Sequence, residues 1–181
     1  MKTLSEVTRD EFRGVLTDAN VLTLRVIHIA IAAGVLLFCG VVLFLYVSMA
    51  SEVRTVGEDE FQLIQLASFA HLVVAFTAYA AANFLFNIQF KEDKLSVQSE
   101  TPAEQCLTMI RSALILRIAL YEAPALFGIV VCLLAIMNGV LYVQPLVALN
   151  LITTLILLGL VVNTMPSKER LETLFVAHIH S

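Results

Sequence analysis

The stretch that decides the fold is residues 123–167, APALFGIVVCLLAIMNGVLYVQPLVALNLITTLILLGLVVNTMPS, which lies between Glu122 and Lys168 and contains no charged side chain over 45 positions. An α-helix needs about 20 apolar residues to cross a hydrocarbon core of roughly 30 Å, so this run is long enough for two crossings. Its break is written at Asn138-Gly139, a turn dipeptide, and Gln144-Pro145 supplies the next helix start. Upstream, residues 26–51 and 61–90 are uncharged runs of 26 and 30 residues. Each holds one crossing, which predicts four spans near 22–49, 62–90, 106–138 and 143–165. The first span is too long in its apolar core, and too far from the start, to be a cleaved signal peptide.

Composition agrees. Of 181 residues, 59% are hydrophobic and 14% charged, against roughly 45–50% and about 25% in ordinary globular chains. That excess excludes disorder, a conventional water-soluble enzyme and nucleic-acid binding through a basic face. The three cysteines form no C-x-x-C pair, which excludes a disulfide scaffold and a sequence-readable zinc site. Cys39 and Cys132 read as packing residues and Cys106 as an interfacial thiol.

The fold class expected is therefore all-α: a transmembrane four-helix bundle, one domain over residues 1–181, with short amphipathic helices at both ends. Flanks lie at 1–21, 91–105 and 166–181. Thr8-Arg9-Asp10-Glu11 is a capping box ahead of Phe12, Val15, Leu16 and Ala19. Ser167 with Arg170 opens a tail helix whose apolar side holds Leu171, Leu174, Phe175 and Ile179. Such flanks either lie on the membrane surface or pack on their own protein, and the second reading is preferred. Thr101-Pro102-Ala103-Glu104 is a third box, so helix 3 is expected from 102 to 137, about 54 Å long, with its first turns outside the hydrocarbon and a kink at Pro124.

Basic residues set the orientation. With both termini on one side, ten of the eleven fall there: Lys2, Arg9, Arg13, Arg25, Lys91, Lys94, Arg111, Arg117, Lys168 and Arg170, leaving Arg54 opposite. The positive-inside rule then places both termini in the cytoplasm.

Height along the bundle ranks the polar residues. Glu122 is the one acid inside a span; 16 residues before Asn138, it sits about 24 Å below the outer face. Charged at a helix centre it would cost about 2.5 kcal/mol or more, so it must be neutral, paired or wet. Two roles stand near parity, a proton or cation relay and a structural partner for Arg117 or for amide donors on neighbouring helices. Helix 2 carries His71, Ala75, Tyr79, Asn83 and Asn87 at i, i+4 spacing, a stripe that must face other helices or a wet cavity. The expected cytoplasmic-side constellation is His28, Asn83, Asn87, Arg117, Tyr121 and Glu122, with Tyr79 above. Interhelical bonding is preferred over an ion site for it. His28 and His71 differ in height by too much to share a haem iron, and His178 and His180 read as solvated or as an incidental weak metal binder. No catalytic residue, metal site or cofactor is expected, and an intramembrane enzyme is the least favoured reading. Expected partners are membrane lipids and either a second copy or the other subunits of a membrane complex, with no nucleic acid.

Two resemblances add to this. The run Ala119-x-x-Glu122-Ala123-x-x-x-Phe127-Gly128-Ile129-Val130-Val131 resembles the ion-carrying helix of rotary ATP synthase proteolipids, which implies a carrier role for Glu122 alone. Those proteins pair this helix with a glycine-repeat helix, whereas helix 2 here has no glycine, and Arg117 and Pro124 are foreign to the pattern; the likeness covers under a fifth of the chain. Helix 3 to the tail, with Arg117 five residues before Glu122 and Pro166-Ser-Lys-Glu-Arg-Leu171, is similar to a class of small bacterial four-span membrane proteins with no assigned activity. That similarity implies a bacterial inner-membrane protein. Both leave the same pair of functions: a non-enzymatic structural or accessory subunit, or translocation of a proton or cation through Glu122.

Overall fold

The structure, a computed structural model, describes residues 2–50, 55–96 and 98–179. Arg54 and His180, named above, lie outside the described residues. The chain forms α1 (Arg9–Val15), α2 (Asp18–Met49), α3 (Glu58–Ile88), α4 (Glu92–Leu95), α5 (Pro102–Met137), α6 (Val140–Val143), α7 (Ile152–Thr164) and α8 (Lys168–His178). A 3-10 turn at Leu4–Glu6 precedes α1, and a longer 3-10 segment, Pro145–Leu151, leads into α7. One two-residue pairing, β1 (Lys2–Thr3) antiparallel to β2 (Gln98–Ser99), ties the start of the chain to the 2–3 connection.

Four helical stretches are long and apolar enough to cross a membrane: Asp18–Met49, Glu58–Ile88, Pro102–Met137 and Pro145–Thr164. Their outer faces decide the solvent. Phe76 is 79% exposed, Leu37 73%, Val47 72% and Phe44 68%, a continuous apolar surface that water would not tolerate on a monomer. The protein is a multi-pass membrane protein. Exposed polar side chains within the spans close on their own helix: Thr77 donates to the Val73 carbonyl (2.7 Å), Asn83 to Tyr79 (3.1 Å) and Asn163 to Gly159 (2.8 Å). This back-bonding to residue i−4 gives those three donors partners that lipid cannot offer.

α5 is the central element. α3 runs along it most extensively, α7 and α2 pack on its other sides, and α2 touches α7. α2 and α3, although consecutive, make no substantial contact with each other. The α5–α7 turn is tight because Gly139 adopts φ 74°, in the left-handed region that a side chain disfavours. Tyr142 beyond it donates to the Tyr46 carbonyl at 2.6 Å and stacks on the Tyr46 ring, tying the turn to the end of α2.

Three hydrophobic cores hold the helices together. At the turn end, Ile64, Val131, Ala135, Val140 and Val147 join α3 to α5 and the 3-10 segment. On the other side of α5, Val35, Val42, Ile118, Ile129, Cys132 and Leu157 join α2, α5 and α7. At the end that carries both termini, α1 and α8 pack on each other and on the first turns of α5, around Phe12, Leu16, Leu24, Ile110, Leu171 and Phe175. Cys106 is fully buried there, its thiol donating to the Leu4 carbonyl at 3.7 Å. It is a core residue, not an interfacial thiol. His178 is likewise packed rather than solvated, stacked on Phe90 at 4.8 Å with its ring perpendicular to Phe86. The caps at Thr8 and Ser167 form as read, accepting from the Glu11 and Arg170 amides. Thr101 makes no side-chain cap; its amide donates to Ser99 Oγ, and α5 still starts at Pro102, whose fixed φ suits a first turn. α5 then stays helical through Pro124.

An ion cluster of two exposed arginines around one nearly covered glutamate ties the two terminal helices together. Glu172 accepts from Arg9 Nε and from Arg13 Nη2, the latter at 2.9 Å. Hydrogen bonding from Arg13 first, and from Arg9, holds the Glu172 carboxyl below its ordinary value of 4.5. A carboxyl whose folded pKa is depressed stabilises the fold above its unfolded pKa, and that contribution is lost as pH falls through the folded one. Docking of α8 is therefore expected to weaken as pH drops below about 4.5. Amide exchange across Leu171–His178 checks this, and protection that stays constant on acidification would contradict it.

Candidate functional site

The polar centre of the membrane region is built where α3, α5 and α7 meet. His71, 1% exposed, enters from α3. Its Nδ1 lies 2.7 Å from Asn150 Oδ1, and its Nε2 lies 3.0 Å from the Pro124 carbonyl and 3.2 Å from Thr153 Oγ1. Asn150 is anchored in turn: its Nδ2 donates to Ser68 Oγ at 3.0 Å and to the Val147 carbonyl at 2.8 Å. The Thr153 hydroxyl is within reach of the Pro124 and Asn150 carbonyls, at 3.1 and 3.0 Å, and Thr154 donates to Ala125 at 3.3 Å.

Gly128 makes this approach possible. A Cβ built there would fall 2.1 Å from the Asn150 carbonyl oxygen and 3.0 Å from both His71 Nε2 and Thr153 Oγ1. Small residues at such crossings let backbones close up, and the hydrogen bonds then find partners that lipid cannot offer. Beside the network a groove of about 910 Å³ opens between α3 and the 146–156 stretch, lined by Ser68, Leu72, Tyr79, Leu146 and Ile156 among others.

A second polar layer lies two to three turns along α3. Tyr79 stacks on Tyr121 at 4.7 Å. Arg117 Nη2 donates to Asn83 Oδ1 at 3.2 Å, and the guanidinium sits 5.0 Å from the centre of the Phe86 ring. Tyr79 Oη and Arg117 Nε are buried there without a hydrogen-bond partner among the described residues. Four of the seven residues of the expected constellation thus come together: Tyr79, Asn83, Arg117 and Tyr121.

The other three do not join them. His28 is buried in α2, with Nδ1 donating to the Leu24 carbonyl of its own helix at 2.8 Å. Asn87 is exposed, and its side chain makes no hydrogen bond among the described residues. Glu122 is half-buried and likewise has neither an ion pair nor a hydrogen bond among the described residues. Arg117 is not its partner: five residues place the two about 140° apart around α5. Helix geometry accounts for Asn87. An i, i+4 row drifts by about 40° at each step, so Asn87 stands about 160° from His71. The buried row of α3 is instead Ile64, His71, Ala75, Ala82 and Phe86, with alternating steps of seven and four that keep to one face.

Sequence reasoning passed over Asn150, Thr153, Thr154 and Gly128. The signal was present: three polar residues at i, i+3 and i+4 in an otherwise apolar span must face protein. Among the described residues no three His, Cys, Asp or Glu side chains come close enough to hold a metal ion.

These features define a class, a four-span α-helical membrane protein with an interior polar joint on its central helix. No protein-family model matches the chain, and neither a curated protein nor a solved structure matches it.

Proposed function

We propose that this chain is a bacterial inner-membrane protein with both termini in the cytoplasm, acting without catalysis of its own as an accessory or structural subunit, through lateral helix contacts in a homo-oligomer or a larger membrane complex. The observation that carries this reading is the uncovered side of α5. Because α2 and α3 stand apart, Ser112, Ala119, Ala123, Leu134 and Met137 remain exposed on one face of the central helix. Ala119 and Ala123, one turn apart, suit close approach of another helix. The ten-to-one distribution of basic residues supports the orientation. The similarity of helix 3 and the tail to small bacterial four-span proteins supports the membrane assigned.

A second reading, translocation of a proton or cation, is favoured by Glu122 alone. It borders that open side and has no partner among the described residues, as a carrier acid would. One experiment separates the two. In a background with Cys39, Cys106 and Cys132 replaced by Ala, an Ala123→Cys variant in bilayers should form disulfide-linked dimers well above those of Leu37→Cys, on the outer face of α2. Equal cross-linking at both positions would sink the contact reading. In parallel, Glu122→Gln in proteoliposomes should leave ion flux at the level of the unaltered protein; abolition of a flux that the unaltered protein shows would transfer the assignment to transport.

A further inference from the structure

We propose that the groove between α3 and the 146–156 stretch holds an acyl chain of one glycerophospholipid, whose phosphate is received by Arg117 at the end nearer the chain termini. Arg117 is half-buried on α5, and a guanidinium offers five N–H donors. One of its nitrogens meets Asn83 Oδ1 at 3.2 Å, and the group sits over the Phe86 ring. No carboxylate pairs with it among the described residues. A cation at membrane depth is costly until an anion or water receives it. Arg117 precedes the turn at Asn138 by 21 residues, about 31 Å along α5, and the hydrocarbon core is roughly 30 Å thick. It therefore stands at the level of the phosphates of one leaflet.

The groove leads to it. On α3, Gln65, Leu72, Phe76, Tyr79 and Asn83 fall within an arc of about 60° at roughly 100° per residue. The first four line the groove, and the fifth holds Arg117. From Gln65 to Tyr79 is about 21 Å, while one leaflet's share of the hydrocarbon core is about 15 Å. An acyl chain rooted near Arg117 therefore fits along it. The walls are apolar, among them Phe69, Phe76, Leu149 and Ile152, and no charged side chain lines them. Below the 3-10 segment α3 makes no substantial contact with α7, so the way to Arg117 stays open.

Unmet donors gather at the same end. Along the groove itself, His71, Asn150 and Ser68 are already bonded to one another. Tyr79 Oη and Arg117 Nε, by contrast, are covered and have no acceptor among the described residues. Asn87, one turn past Asn83, is exposed and its side chain is unbonded among them too. A phospholipid brings an acceptor to each. Its phosphate oxygens suit Arg117 and Asn87 through charge-assisted bonds. Its ester carbonyls, just inside the phosphate, suit Tyr79, once the two covered side chains turn toward the groove.

The test is native mass spectrometry of the whole protein, stripped of lipid in detergent and titrated with dioleoyl phosphatidylglycerol. One lipid per chain should be retained. Dioleoylglycerol, which has the same chains and no phosphate, should bind about tenfold more weakly, the scale of a lost bond to a charged group. Arg117→Gln should weaken phosphatidylglycerol by a similar factor and leave dioleoylglycerol unchanged. Arg111→Gln, about 120° away around α5, should alter neither. Leu72→Trp, at a wall position 64% exposed, should obstruct the chain and weaken both lipids, while excess inorganic phosphate should displace neither. Equal affinity for the two lipids, or displacement by phosphate, overturns the proposal. So does an Arg117→Gln or a Leu72→Trp protein that folds and still holds phosphatidylglycerol as the unaltered chain does. Should Arg117→Gln fail to fold, the lipid comparison and Leu72→Trp decide.

Discussion

Alanine at position 128 is expected to destabilise the protein more than any other single-methyl change in the membrane region. Its Cβ would fall 2.1 Å from a backbone oxygen, that of Asn150, and a backbone atom cannot step aside as a flexible side chain can. α5 and α7 must separate, which also lengthens the bonds from His71 and Thr153 to Pro124. Overpacking of this kind costs about 1–3 kcal/mol and occasionally more. The other glycines of the spans provide the control. Gly34, Gly40 and Gly159 have nothing within 4 Å of the corresponding position. Alanine there should be neutral or stabilising by about 0.5–1 kcal/mol, since glycine is a poor helix former. Circular dichroism melts in one detergent, run on all four variants, read the difference directly. A Gly128→Ala protein that melts with Gly159→Ala would mean that the α5–α7 crossing is looser than described.

Truncating Phe175 to alanine should release α8. The ring is fully buried, stacked on Phe12 at 4.3 Å, and shares a core with Leu107, Ile110 and Leu171. Removing a buried phenylalanine costs about 3–5 kcal/mol. α8 has only 11 residues, and a helix that short is marginal in water without tertiary support. The loss is therefore local. Trypsin should gain access beyond Lys168 and Arg170, while the melting of the spans stays unchanged. Val176→Ala, at a position 39% exposed, should change neither. Equal protease resistance in Phe175→Ala and the unaltered protein would show that the Glu172 cluster alone holds the helix.

The spans were legible because the signal that marks them is additive along the chain. Twenty apolar residues in a row have one physical destiny whatever surrounds them, and Asn138-Gly139 breaks such a run on its own chemistry. The terminal helices were legible from their caps, since Thr8 and Ser167 bond within their own first turn. Neither inference needs a neighbour.

The site was legible only in part, for the opposite reason. Tyr79, Asn83, Arg117 and Tyr121 could be grouped by height because α3 and α5 are antiparallel neighbours joined by a short connection. His28 shares their height and not their company, because height says nothing about azimuth. Glu122 and Arg117 were natural partners along the sequence, yet they leave α5 on different sides.

From residues alone, then, come the number of crossings and their approximate ends, both governed by transfer of each segment from water to hydrocarbon. Which helix is central, which faces stay open, and that His71 meets Asn150 and Thr153 across a glycine depend on how four cylinders rotate and pack. Those rotations are set by contacts between residues 53 to 82 positions apart, which no local pattern encodes.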